Sequence, residues 1–324
     1  MPVDAVTHET EIAAARWRVR GVAALGVSLL ALTAALLVFP IAIVVLWAFG
    51  AIGGAFGTGA GMVAWSAVVS LAIGVTFGLG VFAWSLARAE RHALAGVRAW
   101  PLPGATGARP VALEPDVPER AQRVVDTIAI AAGVLPPRVA VVVDDAPNCL
   151  TVGRRPQTAW LVVTTGLLQL PHRELEAVLA YELGRVAELD VSLDTVVFAC
   201  TARGIELWAA AFGDFDDTTL ITAPVAVLVT PLVVGSLLLR GIALRHRARL
   251  SDGLAVRYCR DPGALLRALQ RIQGDPEQVR RGNPANAHLW LEYPHTRASK
   301  LFLRSHRVLP ARIRQLERYG RMGA

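Results

Sequence analysis

From Gly21 through Ala87 the chain has no Asp, Glu, Lys, Arg or His. A soluble domain does not leave so long a stretch without a charge, and the stretch has room for two passes of about 20 residues each. Cysteine is scarce: Cys149, Cys200 and Cys259 are odd in number and scattered, which excludes a disulfide framework and reads as thiols in a reducing compartment. Lysine is nearly absent, Lys300 being the only one, so the net charge of +7 is carried by arginine. No nucleic-acid motif accompanies that charge, and the arginines gather at the edges of the apolar runs and near the C-terminus, where anionic headgroups are the nearer partner. There is no phosphate-binding glycine loop and no internal repeat, so nucleotide-binding and solenoid architectures have no support.

What is present is apolar surface. Hydrophobic residues make up 54% of the 324, with a mean hydropathy of +0.45, too apolar for an ordinary soluble domain. Two spans are expected at about 21–49 and 62–86, separated by the glycine-rich turn AIGGAFGTGAG, so residues 1–98 read as a membrane hairpin. The first run far exceeds the about 7–15 apolar residues of a cleaved signal, and a second span follows at once. Arg16, Arg18 and Arg20 precede the first span, and Arg88, Arg91 and Arg98 follow the second. The positive-inside rule then places the N-terminus and everything after Arg88 in the cytoplasm of a multi-pass protein of the cell membrane.

Residues 99–117 read as a Pro/Gly-rich linker, and 118–324 as a second unit. PERAQRVVDTIAIAAGV has helical spacing and ends on Gly133, a natural C-cap. RVAVVVDD, Asn148 to Val152 and TAWLVVTTGLLQL carry strand signal, with Arg154-Arg155-Pro156-Gln157 as a turn. Pro171 opens a helix whose buried stripe is Leu175, Val178, Leu179, Leu183 and Val186. Residues 191–244 read as a second hydrophobic hairpin, at least partly in the membrane, interrupted by Asp194, Arg203 and Glu206. Arg203 and Glu206, three apart, are expected to pair with each other. LRHRARLSDGLAVRYCRDPGALLRALQRI is helical with a break at DPG, and RSHRVLPARIRQLERYGR reads as a basic helix. The class is α+β, mainly helical, on a membrane anchor.

The helix after Pro171 contains Tyr181, Glu182, Leu183, Gly184 and Arg185. Those are the five slots in which HExxH sets two histidines on one helix face, with a glutamate as base for a metal-bound water. Four segments, in order, carry a resemblance to the HtpX-type membrane metalloproteases, relatives of the CAAX prenyl endopeptidases. PNCLTVGRRPQTAWLVVTTGLLQL resembles the family's PNAFATG stretch and the strand after it. RELEAVLAYELGRVAELD is similar to DELEAVLAHELSHIxNxD. RHRARLSDGLAVRYCRDPGALLRALQRI resembles REYxADxxAxxLTxNPxALxxALxKI, and SHRVLPARIRQLERY resembles THPPxxxRIxxL.

The resemblance implies a gluzincin-like cytoplasmic domain, and the departures from it fall on the metal. Tyr181 and Arg185 stand at the two histidine positions, and Ala248 at the glutamate ligand. Catalytic zinc needs three N or O donors plus water. A phenol is a poor ligand at neutral pH, a guanidinium repels the ion, and alanine offers nothing. Glu182, the family's general base, remains, as do Asp190, Asp252, Asn148 of the substrate-flanking strand and His306 of the ending. Glu182 is expected to pair with Arg185 at i,i+3 and fill the metal's place. No spacing supports a substitute site from His246, Glu188 or Asp190 with Glu182, and His172, His288 and His295 read as surface or loop histidines. Cys149 has no nucleophile signature and reads as a buried strand residue.

The sequence therefore points to a membrane-integrated pseudopeptidase with no cofactor. It would bind or scaffold another membrane protein or a peptide segment, the strand edge Asn148, Cys149, Leu150, Thr151 and Val152 being the candidate peptide site. Membrane lipids are further partners and nucleic acid is not. Two alternatives stay open: a zinc endopeptidase with atypical ligands, and a structural subunit held in a complex through its spans.

Overall fold

The structure, a computed structural model, describes residues 60–101, 117–187, 190–212 and 261–277 continuously, with shorter pieces within 17–48, 230–235, 279–292 and 313–317. The expectations placed on Glu188, His246, Ala248, Asp252, Cys259, His295 and His306, on linker residues 102–116 and on most of the 213–244 segment lie outside the described residues.

Helix α1 (Ala60–Gly96) is 37 residues long, about 55 Å at 1.5 Å per residue. Among the described residues it is the one helix long and apolar enough to cross a membrane. Its first two-thirds expose Trp65, Val68, Leu71, Phe77 and Leu79. It continues ten residues past the span expected to stop at Leu86, because Ala89, Ala93 and Val97 recur at core-facing spacing and are buried. Of the first apolar run, residues 20–28 are helical. Ala31 and Ala35 of that run lie against α1 at Gly74 and Gly78. A Cβ on Gly74 would fall 2.5 Å from the Ala31 carbonyl oxygen, and one on Gly78 would fall 2.7 Å from the Ala31 nitrogen. Small residues at four-residue spacing on both sides allow this backbone approach.

The rest is a three-layer domain. β1 (Trp100–Pro101), β2 (Arg138–Val142), β3 (Cys149–Val152) and β4 (Trp160–Thr164) form one sheet in the order β1-β2-β4-β3. β2 and β4 are parallel, while β1 and β3 are antiparallel edges. Alternation is clean. Val139, Val141, Cys149, Leu161 and Val163 face one apolar cluster, and Ala140, Val142, Leu150, Val152 and Val162 face the other. The first cluster packs on α2 (Val117–Ala132), α4 (His172–Ala187) and α6 (Pro262–Gly274). The second packs on the end of α1 and on α5 (Asp190–Phe212). A one-turn helix, α3 (Thr165–Leu168), follows β4, its first turn capped by the Thr164 hydroxyl.

The local signals explain these elements. Gly133 closes α2 at φ +65°, with Val134 N–H donating back to the Ala129 carbonyl. The Arg154–Gln157 turn is a short 3₁₀ turn, Pro156–Thr158, joining β3 to β4. DPG is an N-terminus: Asp261 accepts from Ala264 N–H at 2.8 Å and Pro262 takes the first helical position. β1 lies inside the stretch read as linker. A two-residue edge strand leaves no pattern in sequence, and the long α1 delivers it to β2. Along α5, residues from Asp190 to Ala202 are buried within the protein.

Candidate functional site

The site forms where α4 crosses under β3 and meets α5. α4 exposes little: Tyr181, Glu182, Leu183 and Arg185 are all buried. A charged residue held there needs a partner, because an isolated ion in a low-dielectric interior costs several kcal/mol. Glu182 Oε2 accepts from the Thr151 hydroxyl of β3 at 2.5 Å and from an Arg185 Nη at 2.7 Å. The other Nη of Arg185 donates to Asp194 Oδ2 of α5 at 2.5 Å. One guanidinium thus spans two carboxylates that are 1% and 0% exposed. The expected Glu182–Arg185 pair is present, buried and shared with a third residue. Glu182 Oε1 is buried with no hydrogen-bond partner among the described residues.

Burial works against the Arg185 charge. Glu182 foremost, then Tyr181 and Asp190, more than offset it and hold the guanidinium above the ordinary arginine value. It is a permanent cation. Around it, Thr195 accepts from Gly153 N–H at 2.8 Å and donates to the Val191 carbonyl, tying α5 to the end of β3. His288, read from sequence as a surface or loop residue, is buried. Its Nε2 lies 3.3 Å from the Asp194 carbonyl oxygen, and its ring centroid is 6.2 Å from that of Phe198. His172 is exposed.

The family resemblance implies zinc, so the donors present decide whether a metal fits. Tyr181 supplies a phenol, and Arg185 a cation 2.7 Å from Glu182, the one carboxylate in the five slots. One open carboxylate oxygen is short of the three ligands that catalytic zinc takes, and a divalent ion would meet a fixed positive charge at contact range. Among the described residues no group of three His, Cys, Asp or Glu could hold a metal ion. These residues of α4 do not fit zinc.

The edge of β3 is occupied by the chain itself. Leu150 pairs antiparallel with Trp290, and Leu291 N–H donates to the Cys149 carbonyl at 2.7 Å. The Asn148 amide extends the pairing. Its Nδ2 donates to the Glu292 carbonyl at 2.7 Å, and its Oδ1 accepts from Glu292 N–H at 3.1 Å. Cys149, Leu150, Thr151 and Val152 are all fully buried. The strand edge named from sequence as a peptide site is therefore where the structure seats residues 290–292.

Sequence reasoning brought Glu182, Arg185, Tyr181 and Asn148 to this neighbourhood and missed Asp194 as a site residue. In the sequence Asp194 stands as an interruption of a hydrophobic segment. An acid set among apolar residues in a helix, nine residues past a buried arginine, is the available signal. The expected pairing of Arg203 with Glu206 falls on a side chain, that of Arg203, outside the described residues. Glu206 bonds His92 of α1 at 2.7 Å.

Residues 115–319 match the model of "Peptidase family M48". A "Protease HtpX homolog" of Thermoanaerobacter pseudethanolicus is 32% identical over 211 residues, 60% of this chain and 70% of the relative. One from Tropheryma whipplei is 32% identical over 216 residues, 60% and 71% of the two chains. One from Thermococcus sibiricus is 30% identical over 197 residues, 56% and 67%. No solved structure shows a significant match.

Proposed function

We propose that this chain, which belongs to peptidase family M48, keeps the family's scaffold at a membrane without its hydrolytic chemistry, and serves as a binding or scaffolding subunit. The observation that supports this reading is the Arg185 guanidinium bonded to both Glu182 and Asp194. A general base acts by taking a proton from an activated water. Here the carboxylate at that helix position already accepts from a guanidinium and from the Thr151 hydroxyl, and among the described residues no group of three His, Cys, Asp or Glu could hold a metal ion. The network instead joins three elements of the fold.

Binding remains for the scaffold to do. A peptide partner at Cys149 and Leu150 would replace residues 290–292, since both compete for the same backbone groups. A membrane-protein partner would meet the apolar surface that α1 exposes.

The test measures metal content of the purified protein and its cleavage of an unfolded polypeptide, with Glu182→Gln as control. The expected result is substoichiometric zinc and no difference between the parent and the control. One zinc per chain with Glu182-dependent cleavage would establish a working endopeptidase with atypical ligands and overturn the proposal.

A further inference from the structure

The hairpin carries the same device at two places: an arginine over a tryptophan. The Arg88 guanidinium lies 4.9 Å from the centroid of the Trp84 ring, and that of Arg20 lies 5.9 Å from Trp17. Both rings are exposed, Trp84 by 45% and Trp17 by 72%, and both arginines are exposed. Neither arginine has an acidic partner among the described residues. The nearby Glu90 faces the protein, accepting from Arg154 N–H at 3.1 Å and from the Thr158 hydroxyl at 3.0 Å.

The contacts of the two helices fix the relative height of these pairs. Gly78 lies on Ala31, and Gly74 on Ala31 and Ala35, so the helices run antiparallel. From that crossing, Arg88 is ten residues beyond Gly78 and Arg20 is eleven before Ala31, in the same direction. Both arginines therefore lie on one side of the crossing, at a similar level. Val22, two residues from Arg20, is buried in a cluster against which Phe82 and Leu86 pack, an independent mark of that level.

The depth follows from α1. Trp65, 59% exposed, and Trp84 are nineteen residues apart, about 28 Å along a helix, close to the about 30 Å of a hydrocarbon core. Trp84 then sits at the boundary and Arg88 one turn outside it, where phosphates lie. A guanidinium is planar and weakly hydrated, and it can stack on an indole while its edge donates two hydrogen bonds to a phosphate. We propose that Arg20 and Arg88, each backed by its tryptophan, form one headgroup site for an anionic phospholipid.

The site bears on the rest of the molecule. The cluster that holds Val22 also contains Leu193, Val196 and Val197 of α5. Leu193 adjoins Asp194, the partner of Arg185, so the buried network lies beside the headgroup plane. This inference goes beyond the proposed function and rests on the membrane placement of the hairpin.

The test uses the full chain in nanodiscs of phosphatidylcholine mixed equally with phosphatidylglycerol. After mild delipidation, mass spectrometry reads the ratio of phosphatidylglycerol to phosphatidylcholine retained. Each of Arg20→Gln and Arg88→Gln is expected to lower that ratio roughly fivefold at low salt, the worth of one basic residue at an anionic surface. Trp84→Phe is expected to reduce the emission quenched by lipids brominated near the headgroup, Trp17 supplying part of the remainder, and to leave quenching by mid-chain bromines unchanged. An unchanged ratio in both arginine variants, with Trp84 still at headgroup depth, overturns the lipid site alone. Emission from Trp84 and Trp65 that no brominated lipid quenches overturns the membrane placement beneath it.

Discussion

Arg185 on α4 and Asp194 on α5 are nine residues apart in sequence and bonded at 2.5 Å in the interior, with Glu182 on the guanidinium's other edge. In a metallopeptidase helix of this kind a metal would link groups from separate elements. In this chain a side-chain cation does the linking. That relationship makes the network measurable as stability.

Arg185→Met should destabilise the fold by about 3–5 kcal/mol, because Glu182 and Asp194 are left charged and buried without their cation. The triple variant Arg185→Met, Glu182→Gln, Asp194→Asn should recover much of that loss, since neutral groups no longer need the guanidinium. Thermal unfolding in detergent reads both. If Arg185→Met melts with the parent, the network is not holding α4 to α5.

Reversing the substitutions tests the other side of the argument. Tyr181→His, Arg185→His and Ala248→Glu together should give about one zinc per chain, removable by chelator, where the parent binds substoichiometrically. The variant loses Asp194's partner, so its apo form should melt below the parent and zinc should raise the melt again. Failure to bind zinc, with the variant folded, would show that these three positions do not converge.

How much of this was legible beforehand depended on whether a residue's neighbours in sequence are its neighbours in space. β2, β4 and α4 announce themselves, because Val139–Val142, Leu161–Val163 and the Leu175–Val186 stripe repeat with the period of their element. Gly133 and Pro171 mark their helix ends by backbone chemistry alone. Asp194 and His288 do not, since their burial is decided by α5 and residues 286–290 folding back onto β3. The pairing of residues 290–292 with β3 was unreadable for the same reason: three residues without strand pattern, joined to an edge some 140 positions earlier.

The carboxyl of Glu292 offers a pH test. Burial, with the nearby Asp275 adding to it, pushes that carboxyl up to about 7. Folded, the acid holds its proton to higher pH than in the unfolded chain, so its protonated form stabilises. That contribution is complete below the ordinary carboxylate range and is lost as pH rises through about 7. Discounted for a half-buried group, the loss is about 1–2 kcal/mol. Glu292→Gln should flatten the fall in stability between about pH 5 and about pH 8 in denaturant titrations. An equally steep fall in the variant would assign it to other groups.

The occupied edge of β3 makes the last prediction. Leu291 N–H donates to the Cys149 carbonyl, and proline has no N–H to give. Leu291→Pro should loosen residues 290–292 while leaving the β3–β4 pairing, which rests on other bonds, in place. Cys149, fully buried beneath that segment, reports the change. In a background with Cys200→Ser and Cys259→Ser, a maleimide should label Cys149 roughly tenfold faster in Leu291→Pro, the effect of losing about 1.4 kcal/mol of local closure. Asn148→Ala, which removes both amide bonds to Glu292, should act in the same direction. Slow labelling in both variants would mean that these bonds do not hold the segment down and that β3 is closed by the packing of Leu289 and Trp290 alone. A peptide partner would then have no edge to enter.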